Sequence, residues 1–136
     1  MLFTHTYQFS KRMQMADITR QIKEDLRESN IQEGIIVVYT PHTTAGITIN
    51  ENADPDVRHD LSQIMDHLIK ENERYYEHTM EGADDMPAHA KCSLFGASLT
   101  IPITNGCLNL GTWQGIYLCE FRNYGGSRRI VATIYE

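Results

Sequence analysis

Positive charge is scarce in this sequence. Twelve Lys and Arg stand against eighteen Asp and Glu, leaving a net charge of −6. A general nucleic-acid binder carries a basic patch, so that class is excluded, whereas an anionic small molecule held by a few local arginines is not. Long apolar runs are missing too. The longest aliphatic run, Ile35-Ile36-Val37-Val38, is far too short to span a bilayer, so no membrane partner is expected. The three cysteines, Cys92, Cys107 and Cys119, are odd in number and lack C-x-x-C spacing. That argues against a disulfide framework or a cysteine zinc knuckle and points to a reduced, cytoplasmic setting. The start, Met1-Leu2-Phe3-Thr4-His5, has no basic region followed by an apolar core, so no signal peptide is expected. No P-loop, G-x-S-x-G or dinucleotide fingerprint is present. Without a linker or an internal repeat, residues 1–136 read as one domain with its own core.

What is present is a mixed pattern of strands and helices. Leu2–Ser10 reads as a strand with Phe3, His5, Tyr7 and Phe9 on one face. Ile18, Ile22 and Leu26 recur every four residues and predict a helix over roughly Ala16–Ser29. Ile35–Thr40 reads as a strand buried on both faces, and Gly46–Asn50 as a second, neighbouring strand. Asp54 as N-cap and Pro55 at the first helical position open a second helix ending near Glu71. Its stripe is Val57, Leu61, Ile64, Met65 and Leu68. Cys92–Ile101 alternates as a strand, Asn105-Gly106 signals a hairpin turn, and Ile116–Phe121 and Arg128–Tyr135 complete the strands. Both faces of Ile116–Phe121 are largely apolar, so both need cover, and Glu120 at its end needs a partner. The order β-α-β-β-α-β-β-β predicts an α+β fold of mainly antiparallel strands with two helices.

Three stretches carry the chemistry. His78–Lys91 holds two histidines and three carboxylates without helical or strand period. It reads either as a solvated acidic loop or, with His78, His89 and Asp84 or Asp85, as a metal-ligand source. In Thr40–Asp54, Thr43 and Thr44 offer hydroxyls and N–H groups, and His42, Thr44, Thr48 and Asn50 share a parity. Capping explains Asp54 there but leaves His42 without a role. In Asn109–Arg129, Trp113 reads as a core or interface anchor, or as a platform stacking on a planar ring. Thr112 and Gln114 could reach polar ring atoms, and Arg122, Arg128 and Arg129 are candidate phosphate contacts. His5, His59 and His67 read as ordinary core or surface histidines.

Together these segments resemble the YjbQ family, small proteins often labelled secondary thiamine-phosphate synthase. The resemblance rests on four segments taken in order. They are His42-Thr43-Thr44-Ala45-Gly46, Asn50-Glu51-Asn52-Ala53-Asp54, Glu81–Asp85 with Pro87-Ala88-His89, and Gly111-Thr112-Trp113-Gln114-Gly115 with Glu120-Phe121. It implies a compact β-sandwich assembled as a homotrimer. It also implies that His42, His78 and His89 lie near one another, with the acidic loop, in a cleft close to a subunit boundary. One departure is visible: the family commonly has an acidic residue after the Glu-Phe pair, where this chain has Arg122 and a longer turn before Arg128-Arg129.

The implied reaction joins a pyrimidine methyl diphosphate to a thiazole phosphate and releases pyrophosphate. The usual enzyme of that name is a (β/α)₈ barrel of at least about 200 residues, so this scaffold would be unrelated. The resemblance offers His42, His78, His89 and Asp84 as metal ligands and Glu51, Asp85 and Glu120 as catalytic carboxylates. Thr43, Thr44, Asn50, Thr112, Trp113, Gln114 and Arg128 become the contacts to a small, phosphorylated substrate. Three histidines favour zinc over magnesium, which prefers oxygen ligands. A metal-dependent hydrolase and a non-catalytic trimer binding a metal or metabolite are the alternatives.

Overall fold

Alternation begins at the first strand. In the computed structural model, which describes residues 1–136, β1 (Leu2–Phe9) turns Phe3, His5, Tyr7 and Phe9 inward and leaves Leu2, Thr4, Thr6 and Gln8 exposed. The rest follow in order: β2 (Met15–Asp17), α1 (Thr19–Ser29), β3 (Gly34–Tyr39), β4 (Ala45–Glu51), α2 (Pro55–Leu68), α3 (Asp85–Phe95), β5 (Ser98–Thr104), β6 (Cys107–Leu108), β7 (Gln114–Glu120) and β8 (Gly126–Tyr135). They make a five-stranded sheet, β1-β8-β3-β5-β6, and a three-stranded sheet, β2-β7-β4. Every strand pair is antiparallel, so the α+β expectation holds.

The core lies between the two sheets and α1. Ile36, Val38, Ile101, Ile103, Ile130 and Ile134 come from the large sheet, Ile47, Ile116 and Leu118 from the small one, and Ile22 and Leu26 from α1. The other side of the small sheet is also covered. Tyr117, Cys119 and Phe121 pack there with Ala88, Cys92 and Phe95 of α3. This is the cover that the two apolar faces of Ile116–Phe121 required. Phe95 and Phe121 meet edge to face with ring centroids 4.9 Å apart, closing the C-terminal end of α3 onto the end of β7.

Local signals account for several element ends. Asp54 accepts a hydrogen bond from the Asp56 N–H at 2.9 Å, and Pro55 follows it, as the capping pattern predicts. Asn105 and Gly106 both take positive φ, 52° and 75°, which a tight hairpin between β5 and β6 requires.

Five expectations need correction. Strand β4 does not neighbour β3: it pairs with β7 in the small sheet, while β3 pairs with β5 and β8 in the large one. There are three helices rather than two, because Asp85–Phe95 is α3, so neither a loop through Lys91 nor a strand from Cys92 exists. The first helix starts at Thr19, since Met15–Asp17 pairs with β7 as an edge strand. Strand β3 alternates: Ile36 and Val38 are buried while Ile35 and Tyr39 are exposed, because helix α1 covers only the inner face of the large sheet. The stripe of α2 is only partly inward: Met65 is buried and Val57 and Leu61 are half-buried, while Ile64 and Leu68 stay exposed.

Candidate functional site

The helical reading of Asp85–Phe95 changes what its residues can do. Asp85 and His89 are four apart, so one helix face presents both side chains. The segment before α3 folds back and brings His78 onto the same carboxylate. His78 Nε2 lies 2.6 Å and His89 Nε2 3.2 Å from Asp85 Oδ2. The two imidazoles stand nearly perpendicular, 5.2 Å between centroids. Nitrogen and oxygen atoms from the three residues all lie within 4.8 Å of one another, a spacing that suits one metal ion. Asp85 is buried, whereas His78 is open to solvent and His89 half-buried.

The other carboxylate oxygen is held from behind. Arg122, just beyond β7, places Nη1 3.1 Å from Asp85 Oδ1. It also donates through Nε to Asp84 Oδ2 at 3.4 Å and through Nη2 to the Glu81 carbonyl at 3.0 Å. Asp84 additionally accepts the Asn123 N–H at 2.9 Å. Burial raises the pKa of both carboxyls, but other effects outweigh it. The His78 hydrogen bond, the Arg122 charge and His89 hold Asp85 below the usual carboxylate range. Hydrogen bonds from the backbone, with the Arg122 guanidinium, do the same for Asp84. Both are therefore anions at neutral pH.

A second charged centre lies at the end of the small sheet. Glu120 is fully buried and receives Arg128 Nε at 2.7 Å and Nη2 at 2.6 Å. Arg128 Nη2 also donates to Thr44 Oγ1 at 2.8 Å, and the Arg122 N–H donates to Glu120 Oε1 at 2.9 Å. Gly125 passes so close that a Cβ there would collide with the Glu120 carboxylate. His42 is next to this centre. Its Nε2 accepts the Arg129 N–H at 2.9 Å. Burial, then the Arg128 and Arg129 charges, push its pKa down against the pull of Glu120.

The predicted site residues thus fall into three groups. His78, Asp85 and His89 converge, with Asp84 one residue away but turned to Arg122 and Asn123. Thr44, Glu120 and Arg128 form the closed ion pair, flanked by His42 and the exposed Thr43. Glu51, Asn50, Thr112, Trp113 and Gln114 lie at the far end of the β4–β7 pair. There Glu51 faces Gln114, while Ala45 faces Glu120 at the near end. Six residue steps along a strand are about 20 Å, so this third group is remote from the second within one chain. Its polar groups serve local structure. Asn50 Oδ1 accepts the Glu51 N–H, Glu51 Oε2 the Asp54 N–H, and Gln114 Oε1 the Gly111 N–H. Trp113 is 61% exposed, so it is not a core anchor of this chain.

Arg122, a candidate phosphate contact by sequence, instead meets Asp85, 37 positions away, a pairing that no spacing rule relates. The Asp85-x-x-x-His89 pair was within reach of a helical-spacing test, had α3 been recognised.

Comparison with known proteins gives a single picture. The family model described as UPF0047 protein YjbQ-like matches residues 4–136. UPF0047 protein YugU of Bacillus subtilis is 49% identical over 121 residues, covering 89% of each chain. A UPF0047 protein of Methanocaldococcus jannaschii is 50% identical, covering 89% of this chain and 85% of the relative. A solved YjbQ/UPF0047 structure from Clostridium acetobutylicum superposes with a TM-score of 0.89 at 43% identity, covering 98% of this chain and 99% of that one. The implied synthase reading is corrected by these matches. The family and relatives bear UPF0047 and YjbQ names without an activity, and a similar structure from Sulfolobus solfataricus is named a YbjQ-like protein of unknown function. Nothing among them indicates thiamine-phosphate synthesis or a metal-dependent reaction.

Proposed function

The chain belongs to the UPF0047 YjbQ-like family, and we propose that this member is a protein that binds a divalent cation through His78, Asp85 and His89. The observation that carries the reading is the convergence of two imidazole nitrogens on one buried carboxylate oxygen. Metal–ligand bonds near 2.0–2.1 Å in a tetrahedral shell put ligand atoms roughly 3.3 Å apart. His89 Nε2 and Asp85 Oδ2 are already 3.2 Å apart, and His78 Nε2, at 2.6 Å, must withdraw by well under 1 Å. Two imidazoles and one carboxylate suit zinc better than magnesium. Three protein ligands leave a fourth position for water or a small-molecule partner, reached from the exposed His78 side.

Two further parts of the reading have their own support. Three unpaired thiols, one of them exposed at Cys107, favour a reducing, cytoplasmic location. The outward apolar residues of α2, Ile64 and Leu68, together with Leu94 of α3, favour self-association, and the family resemblance makes a homotrimer the assembly to test. No helix is long and apolar enough to cross a membrane. Sedimentation velocity tests the assembly. A trimer that Ile64→Glu dissociates is the expected result, and a monomeric wild type would reject it.

Metal titration of the purified, chelator-treated protein tests the site. We expect one zinc ion per chain, with affinity lowered more than about 100-fold in Asp85→Asn, beyond the cost of losing an outer-shell partner. A wild type that takes up no zinc, or an Asp85→Asn protein that binds it equally well, refutes the site.

A further inference from the structure

Arg122 stands where it controls how Asp85 can bind. Both histidines use Oδ2 of that carboxylate, while Arg122 Nη1 takes Oδ1. The guanidinium cannot swing away freely. Its remaining nitrogens are engaged by Asp84 Oδ2 and the Glu81 carbonyl, and its own backbone N–H is tied to the buried Glu120. Asp84 is in turn fixed by the Asn123 N–H. One planar fork thus joins the segment before α3 to the turn after β7, and it presents Asp85 to the two imidazoles through a single oxygen.

We propose that Arg122 is a specificity-determining positioning residue. By occupying Asp85 Oδ1 it makes Asp85 a one-oxygen ligand, which restricts the site to ions content with four ligands, such as zinc or cobalt. Manganese and magnesium, which favour six oxygen-rich ligands, are selected against. This rests on the metal reading above. Once the guanidinium is removed, Oδ1 is free to reach the ion, and a two-oxygen carboxylate raises the coordination number. Two effects on affinity then oppose each other. Losing a neighbouring cation strengthens ion binding, and losing the ordered carboxylate weakens it. Geometry and selectivity are therefore the informative readouts, not zinc affinity alone.

The experiment loads wild type, Arg122→Gln and Arg122→Lys with cobalt(II) and records the visible absorption. Zinc and manganese affinities are then measured for each by competition. Wild type is expected to give the intense bands of a four-coordinate site. Arg122→Gln is expected to give weaker bands of higher coordination, with the zinc-to-manganese affinity ratio falling by about tenfold or more. Arg122→Lys keeps the charge without the fork and is expected to follow the Gln variant; should the Gln variant fail to fold, it carries the comparison. An unchanged spectrum and ratio in the folded variants overturns the proposal, as does a Lys variant that behaves like wild type. A wild type that binds neither cobalt nor zinc refutes the metal reading itself, before any variant is compared.

Discussion

Two carboxylates of this protein, Glu120 and Asp85, are both buried and both touch Arg122, yet their surroundings differ in kind. Around Glu120 the donors are internal and permanent: the Arg128 fork and a backbone N–H, with Thr44 accepting the surplus Arg128 hydrogen. Around Asp85 one oxygen is held by a fixed arginine, but the other faces two histidines that reach solvent. Imidazole nitrogens can give up a proton and bind a metal; a guanidinium cannot. A closed pair of fixed charges holds a fold together, while a carboxylate facing titratable, accessible partners can exchange them for a ligand.

The sharpest way to break that contrast is Glu120→Ala. Arg128 would remain buried beside Thr44 without its counter-charge, and removing one partner of such a pair costs about 3–5 kcal/mol. Chemical denaturation checks this. Loss below about 1 kcal/mol would make Glu120 no more structural than Asp85. The counterpart is Asp85→Asn in metal-free protein. The amide keeps an acceptor for Arg122, and Asp84 still pairs with that guanidinium, so a loss of about 1 kcal/mol is expected. If the two substitutions destabilise equally, the comparison fails.

The smallest effect concerns His42, the histidine that sits beside the closed pair rather than in the open cluster. Its Nε2 accepts the Arg129 N–H, and burial together with Arg128 and Arg129 lowers its pKa from the ordinary 6.5. The unfolded chain therefore binds that proton more readily than the folded one. Above about pH 6.5 His42 is neutral in both states and contributes no pH dependence. As pH falls below 6.5, protonation of the unfolded chain lowers stability, until pH passes the depressed folded-state value. Denaturation midpoints of wild type and His42→Gln between pH 7.5 and 5 measure this. The wild type should lose more stability on acidification, and parallel curves would reject the assignment.

How much of this was legible depended on whether a local rule existed for it. The N-cap at Asp54, the Asn105-Gly106 turn, the alternation of β1 and the two-sided burial of β7 all follow from spacing over a few residues, and all are present. Helix α3 escaped because its apolar row, Ala88, Cys92 and Phe95, is short and shares the buried face with Asp85 and Lys91. Its buried positions are Asp85, Pro87, Ala88 and Lys91, with Lys91 paired to Asp66 at 2.8 Å. Such a helix is held by ion pairs and by its seat on the small sheet, which periodicity does not register. The stripe of α2 is periodic yet only partly buried, with Ile64 and Leu68 left exposed.

The residue types alone determined an antiparallel α+β chain with a histidine- and acid-rich segment, because strand alternation, turn chemistry and ligand chemistry are properties of neighbouring residues. Tertiary structure alone decided which of those polar residues meet. Asp85 rather than Asp84 faces the histidines because α3 begins there. Arg128 is sealed against Glu120 because β8 returns beside the end of β7. Trp113 stands apart from the Glu120 end because a strand pair about 20 Å long separates Gln114 from Glu120.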